Sequence, residues 1–404
     1  MNRFDIAVIG GGMVGASLAL ALTGSGRSVV LVEGVAPDSN AQPSFDERTT
    51  ALGNASRRIF QSLGIWDRIA PYAAAIRSIH VSDAGRFGFA RLEAGEQGVD
   101  AFGYVVSNRV LGAALWGALE SAPRGIALRA PARADEIEIS HGGIDLTIHS
   151  SKGTERLHAH LAVAADGAES KVRLAAGIDA SIEDYGQVAV VTNVLADRPQ
   201  QGVAFERFTE SGPLAVLPLH DGSFTVVWAL APDDAERTLM LSDADFIAEL
   251  QRHFGWRAGR FVRAGRRATY ALKLSRALSA TATRTVLIGN ASQALHPVAG
   301  QGFNLGLRDA ATLAELLASD DSDPGSADLL ARFAAWRATD RRGVTDFTDG
   351  LVKLFGDRRL HMRMARNLGL LLFDLLPPAK SALARVGSGF GGRTPRLARG
   401  LHLT

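Results

Sequence analysis

Cysteine is absent from the whole 404-residue chain. Disulfides, thiolate zinc sites, iron–sulfur clusters and cysteine nucleophiles are thereby excluded, which accords with a reducing cytoplasm. No stretch reaches the roughly eighteen uninterrupted apolar residues of a membrane-spanning helix. A basic leader is missing too, because 4–10 already reads as a buried strand, so no signal peptide is expected. Net charge is only +2, which offers no field suited to nucleic acid. There is no Walker loop, no internal repeat, and no serine, histidine and aspartate set with a nucleophile context. No metal site is expected either. His158 and His160 alternate along one strand-like face, but no third ligand lies nearby.

What is present reads as globular, with 47% hydrophobic and 21% charged residues. The length exceeds a single core of ordinary size and predicts two or three domains. Asp5 to Gly10 is a continuous apolar run ending in glycines, as in a central parallel strand. Ala16 to Leu22 then predicts a helix and Ser28 to Glu33 a second strand, which makes a right-handed βαβ unit. Phe45 to Ala75 reads as mostly helical. Period-two alternation with glycine turns follows in Ile79 to Leu92 and in Val188 to Ala231, so a separate antiparallel sheet is expected. The α/β pattern returns between these blocks and again from Thr283. A helical, arginine-rich region begins at about Gly343, after the short acidic linker Asp320 to Ser326.

Gly10-x-Gly12-x-x-Gly15 follows the first strand and opens the helix. Gly10 permits the tight turn, Gly12 admits a pyrophosphate to the backbone, and Gly15 allows close packing of helix on strand. Free amides at the helix start bind phosphate. Glu33 stands eighteen residues after Gly15, at the end of the second strand, where a carboxylate accepts ribose hydroxyls. This motif alone does not choose between NAD and FAD. Two further segments carry glycine-rich or acidic turns. One is Ala165-Asp166-Gly167-Ala168-Glu169-Ser170-Lys171-Val172-Arg173. The other runs from Gly289 and Asn290 through His296-Pro297 and Gly300-Gln301-Gly302-Phe303-Asn304 into a helix. The second again places a helix N-terminus after a strand and a glycine loop.

These three segments, in this order, resemble the FAD fingerprint of the class A flavoprotein monooxygenases, the family of para-hydroxybenzoate hydroxylase. The resemblance implies an α/β fold in which a Rossmann-like FAD-binding domain (1–75, 103–178 and 276–342) is interleaved with an antiparallel-sheet substrate domain (76–102 and 179–275). A C-terminal helical region (343–404) follows. It implies FAD as cofactor and NAD(P)H as co-substrate, the nicotinamide having no Rossmann unit of its own, and no second Gly-x-Gly-x-x-Gly occurs. Residue by residue, it assigns Gly10, Gly12, Gly15, Glu33, Asp166, Gly167, Arg173, Gly289, Gly300 and Asn304 to the cofactor. Asn290 replaces a ribityl-binding aspartate and keeps an acceptor oxygen, though without charge. Pro297 abuts the flavin ring, and Gly302 and Phe303 lend amides to its edge. Arg48 matches an arginine near the ribityl chain and diphosphate, and Asn108 or Arg109 reaches the cofactor from the next helix. His296 stands beside the flavin loop, where it either handles a phenol proton or is structural.

Within this family the chain is similar to the ubiquinone-pathway branch, and to the 2-polyprenyl-6-methoxyphenol hydroxylase type in particular. Phe45-Asp46-Glu47-Arg48, Gly289-Asn290-Ala291-Ser292-Gln293 and Asp374-Leu375-Leu376-Pro377-Pro378-Ala379-Lys380 carry that likeness. It implies hydroxylation of a polyprenylated phenol with NAD(P)H and O2, through a flavin C4a-hydroperoxide. Two alternatives stay open: another aromatic substrate, or a silent lipid-binding subunit of the ubiquinone complex. A halogenase is disfavoured, because none of the five tryptophans forms Trp-x-Trp. Trp228 and Phe205 either line a substrate ring or pack a core.

Near the end, Arg358, Arg359, Arg363 and Arg366 precede the apolar run Leu368 to Leu376, which Pro377-Pro378 closes. Leu370, Leu371, Phe373 and Leu375 would enter a membrane surface while the arginines meet headgroups, or else they cover the core. Peripheral attachment to the cytoplasmic face of the inner membrane is the expectation. The resemblance also leaves open two further partners, a ubiquinone-biosynthesis complex and a second copy of the chain.

Overall fold

The computed structural model describes residues 2–39, 42, 46, 48–122, 125–295, 300–356 and 359–403, with backbone alone at 352, 356, 360–365 and 371. The central sheet forms where the sequence offers short apolar runs. β1 (Asn2–Ile9) lies between β2 (Val29–Val32) and β11 (Gly153–Ala164), parallel to both, with Ile9 opposite Val32 and Ala164. β8 (Ile126–Arg129) and β19 (Thr285–Leu287) extend it in parallel on either side, and β18 (Thr281–Ala282) closes one edge. Ile6, Ala7, Val8 and Leu31 have no solvent contact, as burial on both faces of a parallel sheet requires. One face is covered by α1 (Met13–Ala21), α2 (Asn54–Ser62), α4 (Asn108–Glu120) and α8 (Gln301–Ala318). The other carries β9 (Ala132–Ser140), β10 (Gly143–Ser150) and α5 (Lys171–Ala175).

The second sheet is antiparallel apart from one parallel pair. Its order is β20 (Gln293–Ala294), β17 (Ala268–Ala277), β12 (Ala180–Ala196), β15 (Phe224–Leu230), β14 (Pro213–Pro218), β13 (Val203–Phe208), β5 (Ser78–Asp83) and β6 (Phe89–Glu93). The parallel pair is β13 with β5, and β16 (Phe261–Ala264) pairs β12. Strand alternation separates two faces. Val190, Phe205, Leu214, Val216 and Trp228 pack on α7 (Asp243–Phe254), which follows α6 (Pro232–Met240). Trp228 and Phe205 are therefore core. The opposite face, with Ala189, Val191, Val227, Ala229 and Leu272, looks toward the first sheet. Tyr270 on that face touches Asp46 at 3.4 Å and lies 4.5 Å below the Arg48 guanidinium. A small sheet of β3 (Thr49–Gly53), β7 (Gly103–Ser107) and β4 (Ala74–Ile76) sits nearby.

Three expectations need correction. Residues 45–75 are helical over most of their described length, in α2, the one-turn α3 (Trp66–Ile69) and a 3-10 turn (Ala70–Tyr72), but the strands β3 and β4 that flank them were not expected. Thr49 and Thr50 favour the strand, and Gly64 with φ 71° ends α2. The C-terminal helices begin well before Gly343, with α9 (Ala327–Gly356). Pro377 does not merely end α10 (Leu360–Asp374). It starts α11 (Pro377–Gly387), where the missing N–H costs nothing.

α9 is fastened to α8 by buried charge. Arg337 meets Asp309 and Asp340, each at 2.7 Å, Arg308 meets Asp340 at 2.8 Å, and Arg341 meets Asp309 at 2.9 Å. α10 is fastened in the same way. Arg366 is buried and pairs with Asp83 at 2.9 Å, so it is not a headgroup ligand, contrary to the sequence expectation. Phe373 also packs inward. Of the residues expected to face a membrane, Leu375 does face solvent, together with Leu368, Leu372 and Leu376, while the side chain of Leu371 lies outside the described residues. No described helix is long and apolar enough to cross a membrane.

Candidate dinucleotide cleft

The glycine turn after β1 is dictated by close contact. Gly10 adopts φ 101°, and a Cβ there would stand 2.3 Å from the Ala165 carbonyl oxygen. A Cβ on Gly15 would stand 1.9 Å from the Gly10 carbonyl oxygen. Any side chain at either place would push α1 off the sheet. Gly12 precedes α1 with no side-chain cap, so the first-turn amides face the cleft unpaired by the helix. Glu33 is held at the end of β2. One carboxylate oxygen accepts from the Gly11 amide at 2.6 Å, the other from the Val35 amide at 2.9 Å and the Gln42 side chain at 3.3 Å. Trp116, on α4, donates to the Gly11 carbonyl at 3.0 Å and supports the turn from below.

The second and third segments close on the same space. Asp166 accepts from the Val172 amide at 3.3 Å through one oxygen, and its other oxygen is buried without a partner among the described residues. Burial raises its pKa, against hydrogen bonds from Ser170 and the Val172 amide that lower it. Asn290 is exposed to the cleft. Gly302 and Phe303, in the first turn of α8, complete it. The cleft holds about 580 Å³ and also borders Gly10, Gly12, Glu33, Gly167 and Gly289. An unpaired buried carboxylate oxygen, two helix N-termini and a fixed acidic group suit a diphosphate-bridged dinucleotide.

Not every expected residue lies on this surface. Arg173 is buried and donates to the carbonyls of Ala168 at 2.8 Å and Ala291 at 3.1 Å. It ties the second segment to the third from behind. Asn304 is also spent. Its amide donates to Ala51 and Gly300, and its oxygen accepts from the Gly53 amide and the Ser56 hydroxyl, all within 2.8 Å. Asn108 is buried and accepts from the Thr50 hydroxyl at 2.7 Å. Arg48 pairs with Asp46 at 2.7 Å, and Arg109 is solvent-exposed at the start of α4. Gly300 begins α8 beside Ala51. His296 and Pro297 lie outside the described residues. His158 is satisfied by Asp145 at 2.8 Å, with its ring edge-on to His160.

Sequence reasoning missed Gln42, Trp116 and Glu206. Glu206 stands opposite Ala215 on β14, which stands opposite Val227 on β15. That row lies on the sheet face turned to the first domain. Its neighbours are small, and no described group bonds to its carboxyl. Burial pushes the Glu206 pKa up to about 7. The folded value lies above the unfolded one, so its contribution to stability is complete below the ordinary glutamate pKa. It is lost as pH rises through about 7. Glu206→Gln should therefore stabilise the protein by roughly 2 kcal/mol at pH 8.5 and by almost nothing near pH 4.5. Denaturant titrations at both pH values check this; an equal effect at both would contradict it.

Comparison with known proteins places these features in a family. A family model described as "FAD binding domain" matches residues 3–348. Ubiquinone hydroxylase UbiL of Rhodospirillum rubrum is 36% identical, covering 99% of this chain and 93% of its own length. The 3-demethoxyubiquinol 3-hydroxylase of Escherichia coli is 32% identical, covering 91% and 94%. The crystal structure of p-nitrophenol 4-monooxygenase PnpA from Pseudomonas putida has the same fold. Its TM-score is 0.81 at 21% identity, covering 97% of this chain and all of that one.

Proposed function

This chain belongs to the FAD binding domain family, and from that premise we propose that it hydroxylates the aromatic ring of a polyprenylated phenol on the route to ubiquinone. The observation that carries the reading is the meeting of all three segments on one cleft. In this reading Glu33 accepts the adenosine ribose hydroxyls, and the first-turn amides of α1 hold the diphosphate. Asn290 holds the ribityl chain, while the amides of Gly302 and Phe303 meet the flavin edge. Bound FAD supplies the redox chemistry, passing electrons from NAD(P)H to O2 so that one oxygen atom enters the ring and the other leaves as water. The segment from Asp166 to Arg173 serves both the flavin and the nicotinamide. The two larger sheets support a division into a cofactor unit (1–75, 103–178 and 276–342) and a substrate unit (76–102 and 179–275), followed by a C-terminal helical region (343–404), with β20 crossing from the first unit onto the second sheet.

The protein's own part is to hold the ring, keep out water and manage one proton. Glu206 suits that last task. It is a carboxyl on the substrate sheet, on the face turned to the first domain, and burial holds its pKa at about 7, so it can take up or release a proton near neutral pH. A polyprenyl substrate is confined to the bilayer, and the exposed Leu368, Leu372, Leu375 and Leu376 support peripheral attachment to the cytoplasmic face of the inner membrane. Deleting the gene should accumulate a polyprenylated phenol that lacks one ring oxygen, read by mass spectrometry of the lipid extract. An unaltered quinone pool would refute the pathway assignment.

A further inference from the structure

A second cavity lies on the other side of the antiparallel sheet, away from the dinucleotide cleft. It holds about 560 Å³ at the β5–β6 edge, with Arg86, Arg207, Arg257, Phe254, Trp256 and Asn367 among its lining. Strand register brings further groups onto the same face. Phe205, His80 and Arg91 stand in one cross-strand row, and Arg207, Ser82 and Phe89 in the next.

The charges here are unbalanced. Arg207 donates to the His253 carbonyl at 2.9 Å, and Arg257 hydrogen-bonds the His80 ring. Among the described residues, neither they nor Arg91 form an ion pair with a carboxylate. The nearby acid Asp83 is buried and engaged by Arg366 at 2.9 Å, leaving Arg86 at 3.9 Å. Burial and the neighbouring cation lower the pKa of Arg207, beside Arg257, and of Arg257, beside Arg91. His80 is pushed down to about 4 by burial and by Arg257 and Arg91, so it stays neutral. A bound anion would relieve this crowding of like charge.

The mouth of the cavity is apolar. Phe87 is 68% exposed and Trp256 66% exposed. Asn367, on the wall, accepts from the Gly88 amide at 2.9 Å and leads directly into the exposed Leu368 on α10. We propose that this cavity receives the phosphate of an anionic phospholipid headgroup between Arg86, Arg207 and Arg257, with Phe87, Trp256 and Leu368 entering the acyl boundary. The proposal rests on the peripheral-membrane reading and adds to it a built headgroup site. Arginine forks suit phosphate, and aromatic rings suit the interface.

The test uses full-length, flavin-loaded protein and vesicles of phosphatidylcholine alone or mixed with phosphatidylglycerol. Wild type should partition more tightly onto the mixed vesicles. Arg86→Gln with Arg257→Gln should lose about fivefold in that partition for each charge removed, with flavin absorbance unchanged. Leu372→Asp with Leu375→Asp should weaken binding to both vesicles. Inorganic phosphate, against sodium chloride of equal ionic strength, should raise the thermal midpoint of wild type and of the leucine variant but not of the arginine variant. If the arginine variant partitions like wild type while the leucine variant does not, the headgroup site is overturned and the membrane reading stands. Phosphate protection without any effect on vesicles would mark a site for free phosphate and overturn the lipid assignment. A wild type that binds neither vesicle would sink both.

Discussion

Purified Glu33→Arg protein is expected to be folded and colourless. The Glu33 carboxylate is fixed by the Gly11 amide at 2.6 Å and the Val35 amide at 2.9 Å, which leaves its remaining lone pairs for ribose hydroxyls. Arginine removes the acceptor that orients the glycine turn and presents donors where the sugar also presents donors. Losing two charge-assisted bonds should weaken FAD by about 3 kcal/mol, or more than a hundredfold. Glu33→Gln keeps an acceptor oxygen and should fall between. Far-ultraviolet circular dichroism monitors the fold, and absorbance near 450 nm monitors the flavin. Wild-type flavin content in Glu33→Arg would refute the cofactor placement.

The second large effect is structural. Arg337 is 1% exposed and Asp309 fully buried, and the two form the centre of a network with Arg308, Asp340 and Arg341. Arg337→Ala would leave two acidic groups short of a partner where water cannot replace it. The expected loss is about 3–5 kcal/mol, a drop in thermal midpoint on the order of 10 °C. Arg237, paired with Asp234 at 2.5 Å but 73% exposed, makes the control. Its alanine variant should melt almost as wild type does. Equal melting of the Arg337 and Arg237 variants would show that the buried network is not what holds α9.

Local chemistry made much of this molecule legible in its sequence. The spacing Gly10-x-Gly12-x-x-Gly15 between a strand and a helix marked a dinucleotide turn, without choosing between NAD and FAD, and alternation over Val188 to Ala231 announced the antiparallel sheet that holds β13 and β15. Longer-range facts were hidden. Nothing near Arg366 on α10 announces that its partner is Asp83, at the end of β5 and 283 positions away. Asn304 and Asn290 look alike as cofactor residues. Only the packing of Gly53 and Ser56 against α8 shows the first to be consumed by the protein itself. Glu206 sits in Val-Ala-Phe-Glu-Arg-Phe, where polarity does not say which face is which; that was settled by the register with Ala215. The apolar residues of α10 and its end split in the same way, since Phe373 packs inward while Leu372 and Leu375 face solvent.

The most direct test of the account is isotopic. FAD-loaded protein, NADPH and a short-chain prenylated phenol would be mixed under 18O2, and the ring product weighed by mass spectrometry. The account predicts a hydroxylated ring carrying one 18O atom, formed in step with NADPH consumption. NADPH oxidation that yields only hydrogen peroxide, or a product whose new oxygen comes from water, would contradict it.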